Sequence, residues 1–322
     1  MKDVNSKKTI SKRSALLLVR TPLQAWIAEK VLRAESVSSY EVVYFTQDDS
    51  EEDRYYYSRL SAKADNGQYC YSPRHRFDIS NHLDFRRQAK KWHRDQRHDL
   101  TLMGSITAHV INAISSQQVT SELVTFDDGT YNILTWDKFH VDSISWRSCI
   151  YRKLLGATDL ERTKTRIARH YTLHPQFENI VEPGRLKTLP EWGRDEGQSI
   201  DGTTRTYFIG QPFEEDLTFE QISVLKTYLL TLSVDFYVRH PRERITLELR
   251  VPYLEKEGQI AEDAIVNNAG RSQIHVVGWF STVLFNIGQV AHRRTMILLH
   301  SDRASHEMAK LGTKAGCEIV FI

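Results

Sequence analysis

Two Rossmann-like domains of α/β class are what this sequence predicts, and three observations carry the reading. Short apolar runs rich in branched residues alternate with helix-period segments from one end to the other, the pattern of βα units and parallel sheets. The alternation breaks once, over residues 182–204, where Pro183, Gly184, Pro190, Gly193, Gly197 and Gly202 stand among polar residues, and then restarts. The chain of 322 residues is long for one domain and sufficient for two that each bury a core. The expected domains are 1–195 and 203–322, facing each other across a cleft.

In the first half, strands are expected at 15–20, 41–46, 100–104 and 123–126, with helices between them. The first helix enters at Pro22, a residue favoured in an opening turn because it lacks the N–H that would go unpaired there. After Gly129 the pattern loosens: 136–146 reads as loop and short helix, and 152–169 as largely helical. The second half is regular again, with strands at 205–210, 234–239, 274–279, 295–300 and 318–322 and helices at 218–231 and 281–290. No closely spaced glycines follow the first strand, where the chain reads Arg20-Thr21-Pro22-Leu23-Gln24, so a nicotinamide or flavin enzyme is disfavoured.

Composition, with 26% charged and 40% hydrophobic residues, is that of a soluble globular protein. The longest apolar stretches, at 15–19 and 296–299, have the length of buried strands and not of a membrane span. The N-terminus carries Lys2, Lys7, Lys8, Lys12 and Arg13, but the apolar run behind them is too short for a secretion signal. Cys70, Cys149 and Cys317 are scattered and odd in number, which argues for a reducing compartment and against a disulfide framework or a zinc site. A cytoplasmic protein is expected. Net charge is only +2, yet Arg86, Arg87, Lys90, Lys91, Arg94 and Arg97 gather around Trp92 and His93. That basic helix reads either as a solvated face or as attraction to anionic lipid headgroups or a phosphorylated glycan. Nucleic acid is disfavoured by the near-neutral balance and the lack of a reading motif.

Ligands of open parallel sheets sit beyond the carboxyl ends of the strands, so strand ends hold the candidate residues. Asp127 and Asp128 precede Gly129 at the end of the 123–126 strand, as a polar turn or as a carboxylate that holds an acceptor hydroxyl or removes its proton. Adjacent side chains on a strand point to opposite faces, so the two cannot readily grip one metal ion. Gly210-Gln211-Pro212 ends the next strand, followed by Glu214, Glu215 and Asp216, which serve either as first-turn partners of a helix dipole or as a base on a loop. His240-Pro241 ends a strand among Arg239, Arg242 and Arg244, where the imidazole could donate to a departing phosphate. Ser281 and Thr282 open a helix, as its cap, as an anion site, or as both.

Taken in order, Thr21-Pro22-Leu23-Gln24, Phe126-Asp127-Asp128-Gly129-Thr130 with Asn132, Gly210-Gln211-Pro212, His240-Pro241-Arg242 and Phe280-Ser281-Thr282 resemble the bacterial lipooligosaccharide sialyltransferases of glycosyltransferase family 52. The resemblance runs to about Asn286. It implies a GT-B architecture and a CMP-sialic acid donor held by the C-terminal domain. Transfer to a galactose hydroxyl of a surface glycan would be inverting, with no metal and no cofactor besides the donor. His240 is similar to the family's histidine that stabilises the departing CMP phosphate, and Ser281 and Thr282 to its hydroxyl pair at the phosphate-binding helix start. Glu262 is similar in placement to a glutamate used on the ribose, and Gly210 and Pro241 would line the cytidine pocket. The family's general base lies after the glycine-ended strand, here Asp216, with Glu215 or Glu214 as neighbours, whereas related families use the carboxylate that corresponds to Asp128 or Asp127. Asp216 is the favoured base and Asp128 the alternative. Peripheral contact with anionic membrane through the basic helix and a homodimer complete the expectations. The other readings are a transferase of the same fold using a different CMP-nonulosonate, CMP-Kdo or a hexose donor, and a non-catalytic glycan-binding relative.

Overall fold

A computed structural model describes residues 13–72, 98–134, 146–193, 200–299 and 303–322. The chain divides into two compact units, one formed by 1–47 with 56–187 and the other by 48–55 with 188–322.

The first unit holds a seven-stranded sheet of β1 (Arg13–Val19), β2 (Val37–Thr46), β3 (Asn66–Tyr71), β4 (Leu100–Met103), β5 (Glu122–Phe126), β6 (Ile167–Thr172) and β7 (Leu186–Thr188). Their order is β3-β2-β1-β4-β5-β6-β7, and β1 pairs in parallel with both β2 and β4. Leu16, Leu17, Leu18 and Val19 are all buried, as a parallel strand covered on both faces requires. Around the sheet lie α1 (Pro22–Ala34), α2 (Glu51–Ser61), α3 (His109–Gln117), α4 (Trp146–Leu155) and α5 (Leu160–Arg166), although residues 51–55 of α2 belong to the second unit. Thr21 caps α1 by accepting from the Gln24 amide at 3.2 Å, and Asp159 caps α5 by accepting from the Arg162 amide at 2.7 Å. The core joins Leu16, Leu18, Val43, Phe45, Met103, Ile111 and Ile114.

An ionic network ties the amino-terminal edge of this sheet, where Arg13 and Glu122 are the first residues of β1 and β5. The Arg169 guanidinium donates to Glu35 at 2.5 and 2.6 Å and to Glu122 at 2.5 Å, Arg13 donates to Glu35 at 2.9 Å, and the Tyr171 hydroxyl adds a bond to Glu35 at 2.7 Å. Burial works to raise the Glu35 carboxyl, but these donors and the two arginine charges outweigh it and hold it below its ordinary value.

The second unit holds β8 (Thr204–Ile209), β9 (Phe236–Val238), β10 (Gln273–Gly278), β11 (Arg293–Leu298) and β12 (Glu318–Phe321), all parallel in the order β12-β11-β10-β8-β9. Its helices are α6 (Phe219–Leu229), α7 (Ala261–Ala269), α8 (Thr282–Asn286) and α9 (Arg303–Lys314). Thr218 and Gln221 form a reciprocal capping box at the start of α6. The core packs Phe208, Phe213, Leu225, Tyr237, Leu249, Val277 and Ile297.

The structure corrects three sequence expectations. The helical reading of 152–169 fails at its end, because Ile167 opens β6, whose residues reach across to the buried end of β5. The polar stretch 182–204 is no bare linker: it contains β7 and the buried Leu189 and Trp192, the latter donating to Asp263 at 2.7 Å. The helix expected over 281–290 closes after Asn286, with Gly288, a weak helix former, in the turn that follows. The strands β3 and β7 and the helices α7 and α9 were not anticipated. The basic segment 86–97 and residues 136–145 lie outside the described residues.

Replacing Arg169 with methionine leaves the buried Glu35 with too few donors, and urea unfolding should register a loss of about 3 kcal/mol at pH 7. Glu35 is a carboxylate whose folded value is depressed, so the wild-type advantage is present above the unfolded value of 4.5 and should fade as pH falls below it.

Candidate active site

Each sheet has a point where chain order reverses, and there neighbouring connections leave the carboxyl edge in opposite directions and open a crevice. In the first unit this lies between β1 and β4, and in the second between β8 and β10. The candidate residues follow these strands or their neighbours.

In the first unit the two adjacent aspartates after β5 have opposite environments. Asp127 is fully buried: Oδ1 lies 3.0 Å from His170 Nε2, and Oδ2 accepts from the Thr172 hydroxyl at 2.9 Å and the Leu173 amide at 2.7 Å. The other imidazole nitrogen, Nδ1, is 2.8 Å from the Thr125 hydroxyl, which completes a buried chain. Burial works to raise Asp127, but the bond and charge of His170, the charge of His174 and the Leu173 amide prevail and hold it low. Its acceptors are spent in fastening β5 to β6.

Asp128 is only half-buried and turns toward β4 and α1. Its Oδ1 accepts from Gln24 Nε2 at 2.5 Å, while Gln24 Oε1 accepts from the Arg20 amide at 2.9 Å. Gly104 makes room for this bridge, since a Cβ there would stand 2.6 Å from the Gln24 amide. Gly129, at φ +62°, lets the chain turn away immediately after the carboxylate. Burial raises Asp128 beyond what Arg20, Gln24 and Ser105 can offset, so this carboxyl holds its proton more tightly than an ordinary aspartate.

In the second unit the ends of β8, β9 and β10 meet. The Gly210 amide donates to Val238 O at 2.8 Å, and Gln211 Nε2 donates to Phe280 O at 2.8 Å, which joins the three strand ends. Gln211 Oε1 is buried with no partner among the described residues. A Cβ on Gly210 would fall 2.3 Å from Glu243 Oε2, so only glycine admits the Glu243 carboxylate beneath the turn. That carboxylate accepts from the Tyr237 hydroxyl at 2.5 Å and from the His240 amide at 3.2 Å, and so props the loop that carries the histidine.

His240 Nδ1 accepts from the Arg242 amide at 3.1 Å. In the neutral ring the proton therefore sits on Nε2, which is the donor. Burial, reinforced by the charges of Arg242 and Lys256, pushes this histidine down to about 4. Pro241, the next residue, is exposed. Ser281 is buried and caps α8, accepting from the Val283 amide at 3.4 Å, and Thr282 is half-buried beside it. Glu262, in the first turn of α7, is buried and accepts from Asn286 of α8 at 2.7 Å. Burial pushes it up to about 7.

The three acidic residues after β8 are now distinct. Glu214 accepts from the Arg244 amide at 3.1 Å and Glu215 pairs with Arg242 at 3.1 Å. Asp216 is exposed, and no described residue engages its carboxylate. Gly210, His240, Ser281 and Thr282 thus share one sheet edge, and Glu262 joins them through Asn286. Asp128 stands at the edge of the other sheet. Sequence reasoning missed Glu243, Tyr237 and His170, whose roles depend on strand pairing and leave no local signal.

Residues 38–302 match the model of glycosyltransferase family 52. The chain is 26% identical over 279 residues to an N-acetyllactosaminide alpha-2,3-sialyltransferase of Haemophilus influenzae, covering 84% of this chain and 88% of that protein. It is 25% identical over 294 residues to a CMP-N-acetylneuraminate:beta-galactoside alpha-2,3-sialyltransferase of Pasteurella multocida, covering 89% and 91%. Among solved structures it superposes on a UDP-N-acetylglucosamine 2-epimerase with a TM-score of 0.53 at 11% identity, covering 96% of this chain and 84% of that one. That likeness bears out the fold class, α/β with two Rossmann-like units of the GT-B kind.

The two aspartates should respond oppositely to amidation. In thermal melts at pH 8, Asp127→Asn is expected to cost several degrees, on the order of 3 kcal/mol for a broken buried network. Asp128→Asn is expected to leave the melting temperature unchanged or higher, because it removes a carboxylate that burial disfavours. For His240, ring NMR of the free protein should report a neutral imidazole at pH 6; a midpoint near 6.5 would show that the loop leaves the ring unperturbed. Because its folded value is depressed, its contribution to stability is complete above 6.5 and lost as pH falls toward 4.

Proposed function

We infer the reaction of this chain from its family: it belongs to glycosyltransferase family 52, and it is a glycosyltransferase. We propose that it moves sialic acid from CMP-sialic acid to a galactose hydroxyl of a bacterial surface glycan of lipooligosaccharide type, through an α2,3 linkage, with inversion and without a metal. The relatives named as alpha-2,3-sialyltransferases over most of their length support the donor, the acceptor sugar and the linkage.

The observation that carries the mechanism is the state of His240. Its Nδ1 is occupied by a backbone N–H and its burial keeps it neutral, so Nε2 is a fixed donor at the end of β9. CMP leaves with a single phosphate, and a preorganised imidazole donor with the hydroxyls of Ser281 and Thr282 receives that charge. The imidazole gains basicity when an anion arrives, which favours proton sharing with the departing phosphate. Glu262 offers acceptor oxygens to ribose hydroxyls, and Gly210 and Pro241 offer backbone to the base. Asp216 is our choice of general base, because the residue is exposed on the loop after β8 and no described residue engages its carboxylate. Asp128, with its raised affinity for a proton, is the alternative. Attack by the activated acceptor on the face opposite the departing phosphate gives inversion in one step.

Transfer from CMP-sialic acid to lactose, followed by mass spectrometry, tests the reading. His240→Ala should lose about a hundredfold or more in kcat with CMP binding retained, the usual cost of removing one charge-stabilising donor. Unchanged turnover would take His240 out of the mechanism. Of Asp216→Asn and Asp128→Asn, only the variant lacking the base should lose transfer while still binding donor.

A further inference from the structure

Residues 48–55 come from the first half of the sequence yet belong to the second unit. They are fastened there at two points. Lys256 Nζ donates to Glu52 Oε1, with the two side chains only 16% and 10% exposed. Gly258, at φ +75°, approaches Tyr55 so closely that a Cβ on it would stand 3.0 Å from the tyrosine Cβ. The segment is also braced internally: the Ser50 amide and hydroxyl donate to Asp53 Oδ2 at 3.0 Å, the Asp53 amide donates back to Ser50 at 3.1 Å, and Arg54 forks onto Asp49 at 3.1 and 2.8 Å.

Strand register brings Lys256 to the candidate site. Tyr253 bridges Tyr237 of β9 in parallel, with the Tyr237 amide donating to Pro252 O at 2.9 Å and the Leu254 amide to Tyr237 O at 2.8 Å. His240 and Lys256 stand equally far beyond these paired tyrosines, so parallel pairing delivers both to the same carboxyl edge. The chain then enters α7, which carries Glu262. The ammonium is close enough to help depress His240 and to restrain the rise of Glu262.

We infer that Lys256 is a donor-site cation for the carboxylate of an acidic nucleotide sugar, and that Glu52 is the counter-ion that holds it in position until that carboxylate binds. The inference rests on the sialyl-transfer reading. A nonulosonate donor carries two anionic groups near the reacting carbon, the phosphate and the sugar's own carboxylate, whereas a neutral hexose donor carries none on the sugar. His240 and the hydroxyls of Ser281 and Thr282 suit the phosphate, and the second anion calls for a second cation. A lysine so little exposed is costly without a partner, and Glu52 supplies one. Burial works to raise Glu52, but the charge and hydrogen bond of Lys256 keep it ionised, so the pair persists at neutral pH. Glu52 is a positioning residue, acting only through the lysine.

The test compares wild type with Lys256→Met, Glu52→Gln and the double variant, measuring Kd for CMP by calorimetry and KM for CMP-sialic acid by transfer. Lys256→Met and the double variant should bind CMP within about threefold of wild type but require at least tenfold more CMP-sialic acid, the scale of one charge-assisted hydrogen bond. Glu52→Gln should hold or lower that KM, because the lysine remains and its internal competitor is gone. Equal weakening toward CMP and CMP-sialic acid, or the same rise in KM for Glu52→Gln and Lys256→Met, would assign the pair to folding alone and overturn the inference. The double variant removes both charges together and carries the test if a single variant does not fold. Wild type that binds neither CMP nor CMP-sialic acid overturns the sialyl-transfer reading itself, a result distinct from the lysine variants behaving as wild type.

Discussion

Parallel pairing is the constraint on which the rest of this protein depends. When every strand of a sheet runs the same way, all the loops that follow strands emerge at one edge, however far apart they lie in sequence. Positions 210, 240 and 281 share an edge for that reason, and the backbone bond from Gly210 to Val238 and the side-chain bond from Gln211 to Phe280 hold the three exits together. The same rule, applied to a segment too short to count as a strand, brings the chain from Tyr253 to Lys256 alongside β9.

Charge at these edges is governed by competition between desolvation and local donors. Asp127 and Asp128 are adjacent and share a strand end, yet one has several strong donors and stays ionised while the other is better supplied with neighbours than with compensation. In the second unit, burial drives a histidine and a glutamate toward their uncharged forms. The positive character of that edge therefore comes from its arginines and from Lys256, and the imidazole contributes direction more than charge.

The α/β class and most strands were legible because fully buried parallel strands leave continuous aliphatic runs such as Leu16 to Val19, and turn residues such as Gly129 and Gly210 mark where those runs stop. The strand-end positions of His240 and Ser281 could be read for the same reason. The strand β3 escaped because it lacks an aliphatic run and its residues are exposed or half-buried at a sheet margin, and Ile167 to Thr172 escaped because the basic residues in it continue the charge pattern of the preceding helix. The division of labour between the two aspartates was invisible, since it is decided by His170 and Gln24, each far away along the chain. Glu52 left no signal at all: an acidic residue at the start of a helix is what dipole compensation alone would produce.

The turn at Gly210 has an evolutionary corollary. The space that its missing Cβ vacates is filled by the Glu243 carboxylate, which in turn carries the backbone of the histidine loop. A side chain at 210 would press on the Glu243 carboxylate and on the Tyr237 ring, and an acid pushed aside or shortened lets go of the histidine's backbone amide. The constraint runs one way: glycine at 210 tolerates a smaller residue at 243, whereas a larger residue at 210 costs the histidine loop its prop.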